Sequence, residues 1–420
     1  MKHTQASQSS PVLTRSLWRN RDFLLLMGGQ AVSVLGTNIS VIALPLLVLA
    51  VTHSPAQAGL LTAARQIPYL FFSLPAGALV DRWDRKATMI RCDLVRWLAF
   101  GSVPVAFALG HLTLAQLYIV AFIEGTAFVF FSLAQISALP QVVEQEHIPH
   151  AYAVDTTLEN VGMLLGPSVG AFIIGLAPVI EMGAVLAYLA DCISYLASVI
   201  SLRFIRVTFQ EERERRIKSG GFPALRKEIA EGLRFLWNQP ILRIMALLSM
   251  AINFLLSPVT LVVIVLARNA LHIDVQTLGF IVSSAGIGGL LGAFVAPWVR
   301  EHLRFGQVII GSAFMWVVAI VLLAMAGSAL LLMLGSGLIG LIWGPFGVTL
   351  VTYRLSLTPD SMQGRVNSAY RFLSFGAEPL GAAIGGFLLV VLSPRIVLVV
   401  IASGLALAGS IVCFTRLRKA

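Results

Sequence analysis

Apolar residues run through this chain in blocks of about 20 or more, each closed by a short polar stretch, and a helix of that length crosses the hydrocarbon core of a bilayer. The blocks predict spans near 23–51, 57–80, 87–109, 113–139, 157–178 and 181–204. After a long polar interruption, further spans are predicted near 242–268, 275–298, 306–327, 329–353, 365–392 and 396–415. An even number of spans returns the C-terminus to the side on which the chain starts. The interruption opens with the mixed-charge run Glu211-Glu212-Arg213-Glu214-Arg215-Arg216, which is broken by Gly220-Gly221 and Pro223. From Ala224 to Trp237 it reads as an amphipathic helix, with Leu225, Ile229, Leu233 and Leu236 on one face, suited to the membrane surface or to tethering two bundles.

Composition agrees with this pattern. Of the 420 residues, 57% are hydrophobic and only 12% charged, about half the charged share of a soluble domain, so lipid is the expected solvent. The net charge of +10 is not read as a nucleic-acid surface, because the basic residues sit between the apolar blocks. Arg15, Arg19 and Arg21 precede the first span, and Arg82, Arg85, Lys86 and Arg91 follow the second. Ten Lys/Arg lie from Arg203 to Arg243, and further arginines occupy the later even-numbered loops; the other side has Arg268 and Arg395. By the positive-inside bias, both termini and the central segment are expected in the cytoplasm of a cell whose inner membrane holds the protein. The predicted organisation is a cytoplasmic segment at 1–22, a six-helix bundle at 23–204, a linker at 205–240, a second six-helix bundle at 241–416 and a tail at 417–420. The polar start ahead of so long a first span is expected to remain uncleaved.

The two halves repeat. Gly77-Ala78-Leu79-Val80, with Trp83 and Arg85 after it, returns 215 positions later as Gly292-Ala293-Phe294-Val295, with Trp298 and Arg300 after it. At the same offset Gly166 and Gly170-Ala171-Phe172-Ile173 return as Gly381 and Gly385-Gly386-Phe387-Leu388. Six spans repeated as six is a transporter plan.

The first copy of the repeat carries charges. Gly77-x-Leu79-x-Asp81-Arg82-x-x-Arg85-Lys86 falls at the predicted cytoplasmic end of the second span. Gly77 lacks a side chain and would let a neighbouring helix approach. Asp81 at the helix end could meet an arginine or the positive N-terminus of a partner helix. This motif resembles the loop 2–3 signature of the major facilitator superfamily. The resemblance implies twelve helices in two bundles, alternating access, and a charge cluster that latches the bundles in the outward-facing state. One position departs from the family pattern: Asp84 stands where a glycine is usual. The second copy has Ala296 and Pro297 in place of the acid and base, so an asymmetric latch is expected. Asp93-Leu94-Val95-Arg96, Leu139-Pro140, Glu231-Gly232-Leu233-Arg234-Phe235-Leu236 and Gly364-Arg365-Val366 are similar to a branch that includes macrolide-efflux proteins and the enterobactin exporter, and Asp93 and Arg96 are grouped with the gating motif. Gly162-x-x-x-Gly166-Pro167 resembles the glycine-proline motif of drug antiporters, although small residues four apart also serve plain helix packing.

Ionisable groups inside the bilayer each require a partner or a role, since insertion costs about 2.5–3.5 kcal/mol or more. Arg65, Glu124, Asp191 and Glu378 fall inside predicted spans. Desolvation favours the neutral form of a carboxylic acid, which suits reversible protonation. Glu124 is the first candidate for proton coupling or for a cationic substrate group, because the resemblance places the fourth span at the cavity with the first, seventh and tenth. A permanent pair with Arg65 is the other reading. Asp191 is expected in a structural hydrogen bond, and Glu378, beside Pro379, could satisfy backbone groups that the proline frees. Gln30, Asn38, Phe128, Asn253 and Trp343 are candidate cavity residues, with polar gluing of helices as the other reading.

No cofactor or metal is expected, because Cys92, Cys192 and Cys413 are far apart and the seven histidines scatter near loops. None of the five lysines follows a glycine, so the chain has no phosphate loop for an ATP-driven pump. The reading that follows is secondary, proton-coupled export of an amphiphilic small organic molecule, macrolide-like or siderophore-like, by a protein surrounded by lipid. A lipid or lysophospholipid flippase and a non-transporting membrane sensor or scaffold are the alternatives.

Overall fold

In a computed structural model of the chain, the described residues are 17–207, 209, 222–359, 362–415 and 417; within them the side chains of Leu74, Ala78, Asp81 and 222–229 are not described. The run 211–216 and the ends 1–16 and 418–420 lie outside them, as do the side chains of Leu225 and Ile229. Every regular element among the described residues is helical. The first half comprises α1 (Arg21–Thr52), α2 (Pro55–Arg82), α3 (Arg85–Ala108), α4 (Leu114–Val142), α5 (Ile148–Gly175) and α6 (Ile180–Phe204). Helix α7 (Phe222–Asn238) precedes the second half. There α8 (Pro240–Leu256), α9 (Val259–Val265) and a π-turn (Leu266–Ala270) make one interrupted span, followed by α10 (Val275–His302), α11 (Phe305–Ala324) and α12 (Ala329–Leu357). A second interrupted span, α13 (Gln363–Gly376) with α14 (Glu378–Val391), precedes α15 (Pro394–Cys413).

Ten of these spans are long and apolar enough to cross a bilayer by composition alone. The other two are α2 and α3. At 1.5 Å per residue they too exceed the roughly 30 Å core, and it is their charges, among them Arg65, Arg91, Asp93 and Arg96, that dilute their hydropathy. Helix starts are capped where the chain enters a span. Asn20, Ser54, Asp84, Thr113, Asp274 and Ser328 each accept a hydrogen bond from a backbone N–H of the first turn. Asp84, the departure from the family pattern, thus caps α3 through Ala87 N at 2.9 Å.

Helices α1–α6 pack chiefly on one another, with α1 against α5 and α6, α2 against α4, and α3 against α4 and α6. In the second half α12 packs against α10 and α11, α11 against α15, and α13 and α14 against α8. The two halves meet along α2–α14 and α5–α10. Both interrupted spans read from sequence as single helices, and the structure corrects this at Ser257-Pro258 and at Ala377-Glu378-Pro379. A proline donates no N–H to the helix ladder, so each break falls where a hydrogen bond is missing, although Ser257 before Pro258 keeps helical torsions. The two breaks touch: Ser257 Oγ donates to the Glu378 carbonyl at 2.9 Å. Irregular backbone at membrane depth is tolerated where it is buried in protein or lines a cavity, and here it does line one.

Candidate functional site

A cavity of about 640 Å³ lies between the two halves. Its walls are stripes at helical spacing. Helix α1 contributes Gln30, Ser33, Thr37 and Asn38, and α4 contributes Phe128, Phe131, Ser132 and Gln135. From the second half come Asn253, Ser257 and Thr260 of the interrupted seventh span, with Ser336, Gly340 and Trp343 of α12. Residues three and four apart share one helix face, so each stripe brings polar and aromatic groups to the cavity among aliphatic neighbours such as Val34, Val263 and Ile339. All five residues expected at the cavity (Gln30, Asn38, Phe128, Asn253 and Trp343) line it. Asn38 and Asn253 stand on opposite halves, 215 positions apart, as do Phe128 and Trp343. Asn38 Nδ2 donates to Val34 O at 2.8 Å, while Asn253 Nδ2 crosses to Ser374 O at 2.9 Å. Pro167 also lines the cavity, whereas Gly162 and Gly166 press against Val34 and Asn38 and let α5 approach α1.

Among the described residues, two ion pairs join intramembrane charges, Arg65 with Glu124 and Arg96 with Asp93. Arg65 on α2 donates from Nε and Nη2 to the two carboxylate oxygens of Glu124 on α4. Neighbouring Gly125 lets the helices come this close: a Cβ there would strike the Arg65 carbonyl. Glu124 is 1% exposed and faces a small enclosure beside Ser40, Phe100 and Tyr188, while Arg65 is the member that reaches the main cavity. Asp191 is fully buried among hydroxyls, accepting from Ser40 Oγ, from Ser194 Oγ at 3.1 Å and from Tyr195 OH at 3.4 Å. Arg96 bonds Asp93 at 3.4 Å, one turn away on α3, and its guanidinium lies 5.1–5.5 Å from the ring centres of Phe128, Phe131 and Tyr195. Arg96 lines the cavity, although its sequence position groups it with the loop motif. Glu378 lines it too, at the start of α14.

The loop motif lies at one end of the molecule. Arg85 donates to Ser137 O at 2.9 Å and Lys86 to Ile205 O at 2.6 Å, tying the loop to the C-terminal part of α4 and the end of α6. Arg82 is exposed at the end of α2, and Asp81 precedes it in the same turn. The packing role expected of Gly77 is not seen here. A Cβ at Gly77 would meet no described atom within 4 Å, whereas its repeat partner Gly292 lies against the Leu341 carbonyl of α12. The approach is made in the second copy, and the first copy stands open. Two segments quoted for the branch resemblance meet in space: Arg365 Nη1 reaches Glu231 Oε2 at 2.8 Å, and Gly232 lies under the Arg365 backbone. This docks α7 on α13.

Several cavity residues had no place in the sequence reading. Gln66 neighbours Arg65 on α2, and Glu159 lies four residues before Met163 and eight before Pro167 on one face of α5. Asp155, one turn before Glu159, stands behind the wall and accepts from Gln135 Nε2 at 2.7 Å. Their signal is the same spacing of four, hidden because the fifth span reads as starting near 157 and places these acids at its polar edge.

A helical chain of twelve spans whose halves enclose a polar-striped central cavity is a multi-pass membrane transporter and not an enzyme. The sequence profile of the Major Facilitator Superfamily matches residues 26–377. The chain belongs to that superfamily. It is similar to the multidrug efflux pump Tap of Mycolicibacterium fortuitum, with 24% identity over 372 residues covering 86% of this chain and 88% of the relative. Macrolide efflux protein A of Streptococcus pyogenes is 24% identical over 274 residues, 64% of this chain and 65% of the relative. Among solved structures, the nucleoside transporter NupG superposes with a TM-score of 0.73 at 14% identity, covering 93% of this chain and 98% of the other.

Proposed function

We propose that the protein exports an amphiphilic organic molecule across the cell's inner membrane by alternating access, driven by a proton gradient. The observation that carries this is the central cavity, whose mixture of aromatic faces, amides, hydroxyls and carboxyls suits an apolar ligand with a few polar groups. Names of relatives support the direction: a multidrug efflux pump and a macrolide efflux protein are similar in sequence over 86% and 64% of this chain. The carboxyls of Glu159 and Glu378 on the cavity wall make them the acids best placed for coupling, ahead of the sequestered Glu124.

The state of the molecule supports alternation. Close backbone approaches join the halves at the end away from the basic loops. There a Cβ on Gly59 would fall 2.7 Å from Gly386 Cα, and Ser168 Oγ bonds Ser283 Oγ at 2.7 Å. Gly77, at the basic end, stands open. With the basic loops in the cytoplasm by the positive-inside bias, these contacts lie toward the outer face and support a cavity closed on that side, and both termini are cytoplasmic in this reading.

Inverted membrane vesicles should accumulate a radiolabelled macrolide or a catecholate siderophore while a pH gradient is held. Accumulation that persists after the gradient is collapsed would overturn the coupling, and accumulation of neither, with movement of a lysophospholipid analogue between leaflets, would replace export by flipping. Asp81→Asn should impair export while the protein stays in the membrane; near-normal export would remove the latch role of the motif.

A further inference from the structure

We propose that the cavity takes its amphiphile through an acidic group, a carboxylate or a comparably charged oxygen, held by the guanidinium of Arg96. The proposal rests on the central cavity being the substrate site. Arg96 lines that cavity and is 2% exposed, yet Nε and Nη2 have no hydrogen-bond partner. Its one ion-pair contact, to Asp93, is long at 3.4 Å and uses a single nitrogen. A buried guanidinium normally fills its fork with acceptors, and donors left unmatched out of water are costly. Here aromatic faces stand where acceptors would be: Phe128 and Phe131, both on the cavity wall, cover the guanidinium. Ring faces compensate a cation in part, but they accept no directed hydrogen bond. A ligand acid would supply what is missing, in the two-pronged geometry that guanidinium favours.

The other charges on the wall narrow the ligand. Arg65 also reaches the cavity, but its charge is met by a two-pronged pair with Glu124, whereas Arg96 is the wall cation among the described residues whose donors are both buried and unmatched. Glu159 and Glu378 face the same space from α5 and α14 and disfavour a second anion. One acid on a ring-bearing body is the expected shape. Phe128 on one half and Trp343 on the other offer flat surfaces for that body.

A matched series tests the charge with the apolar part held constant: 2-naphthoate, 2-naphthamide and 2-naphthylmethylammonium, titrated calorimetrically into the purified full-length protein in lipid nanodiscs. The acid should bind about tenfold or more tighter than the amide, the gain expected of hydrogen bonds to a charged partner. Arg96→Gln should bring that ratio to about one while leaving amide binding within about twofold, as expected when only the charged contact is lost. Asp93→Asn removes the competing carboxylate and should raise the ratio; this variant, with the native protein, keeps the test decisive if Arg96→Gln does not fold. Equal binding of acid and amide by the native protein, a ratio unchanged in Arg96→Gln, or tightest binding of the ammonium would each overturn the proposal. Binding is read without transport, so loss of gradient-driven export beside an intact acid preference counts against the export reading alone. Export with no acid preference counts against this inference alone.

Discussion

Arg65 and Glu124 are 59 positions apart and form a two-pronged ion pair in which the acid is sealed and the base reaches the cavity. Removing one member of such a pair strands a buried charge, at about 3–5 kcal/mol, whereas replacing both by apolar residues of similar size is tolerated. Glu124→Gln is therefore expected to lower the thermal midpoint of the purified protein sharply, and Arg65→Met with Glu124→Leu to recover most of it. If the recovered double variant still exports against a gradient, the pair only holds α2 to α4; export lost in a stable double variant gives the pair a part in coupling. Both residues can be found in the sequence as charges inside apolar blocks, and their pairing was one of two open readings. What the sequence could not show is that Glu124 turns from the cavity and that Arg96, apparently part of a loop motif, turns toward it. Which way a side chain faces on a helix that is apolar all round is decided by the neighbour it meets.

Helix starts and breaks are mostly local. Asp274 caps α10 by accepting from Thr277 N at 2.8 Å, and that N–H, with the Thr277 side chain, holds the Asp274 carboxyl below its ordinary range. A carboxyl so depressed contributes stability that is complete above its unfolded pKa of about 3.9 and is lost as pH falls through the lower folded value. Asp274→Ala should thus cost about 1 kcal/mol near neutral pH, the usual worth of such a cap. The gap between the thermal melts of the two proteins should begin to close as pH falls below about 4 and keep closing until the native carboxyl protonates at its lower folded value. A gap that persists unchanged at low pH would mean that the residue acts otherwise. Caps of this kind, the prolines at 258 and 379, and the stripes of α1 and α4 are all visible along the chain. That the two proline breaks meet through Ser257 is not visible, because Ser257 and Glu378 lie in different spans whose register only packing sets.

The two halves meet along α2–α14 and α5–α10, and the proposed alternation requires the contacts near Gly59 and Ser168 to part. Ser168 and Ser283 join α5 to α10 toward the end away from the basic loops, with hydroxyls 2.7 Å apart. In a background lacking Cys92, Cys192 and Cys413, the pair Ser168→Cys and Ser283→Cys should form a disulfide, since such a separation is within reach of disulfide geometry with small shifts. Oxidation should then abolish export and dithiothreitol restore it; export by the oxidised, cross-linked protein would exclude opening at this end. The amino-acid order alone settled much of this protein: twelve apolar blocks, the 215-residue repeat, the one-sided charge of the loops and the charged first copy of the motif. Each of these is a property of residues close in sequence, or of a pattern copied along it, and hydropathy and helical period sum over just such neighbours. Tertiary structure decided the rest: the partner of Arg65, the packing of Gly292 where its repeat counterpart Gly77 meets no described atom, the cavity-facing Arg96 and Glu378, and the contacts at which the halves meet. Those depend on which helix faces lie within a few ångströms of each other, and in a bilayer small residues and buried polar contacts, not the apolar pattern, select the approach.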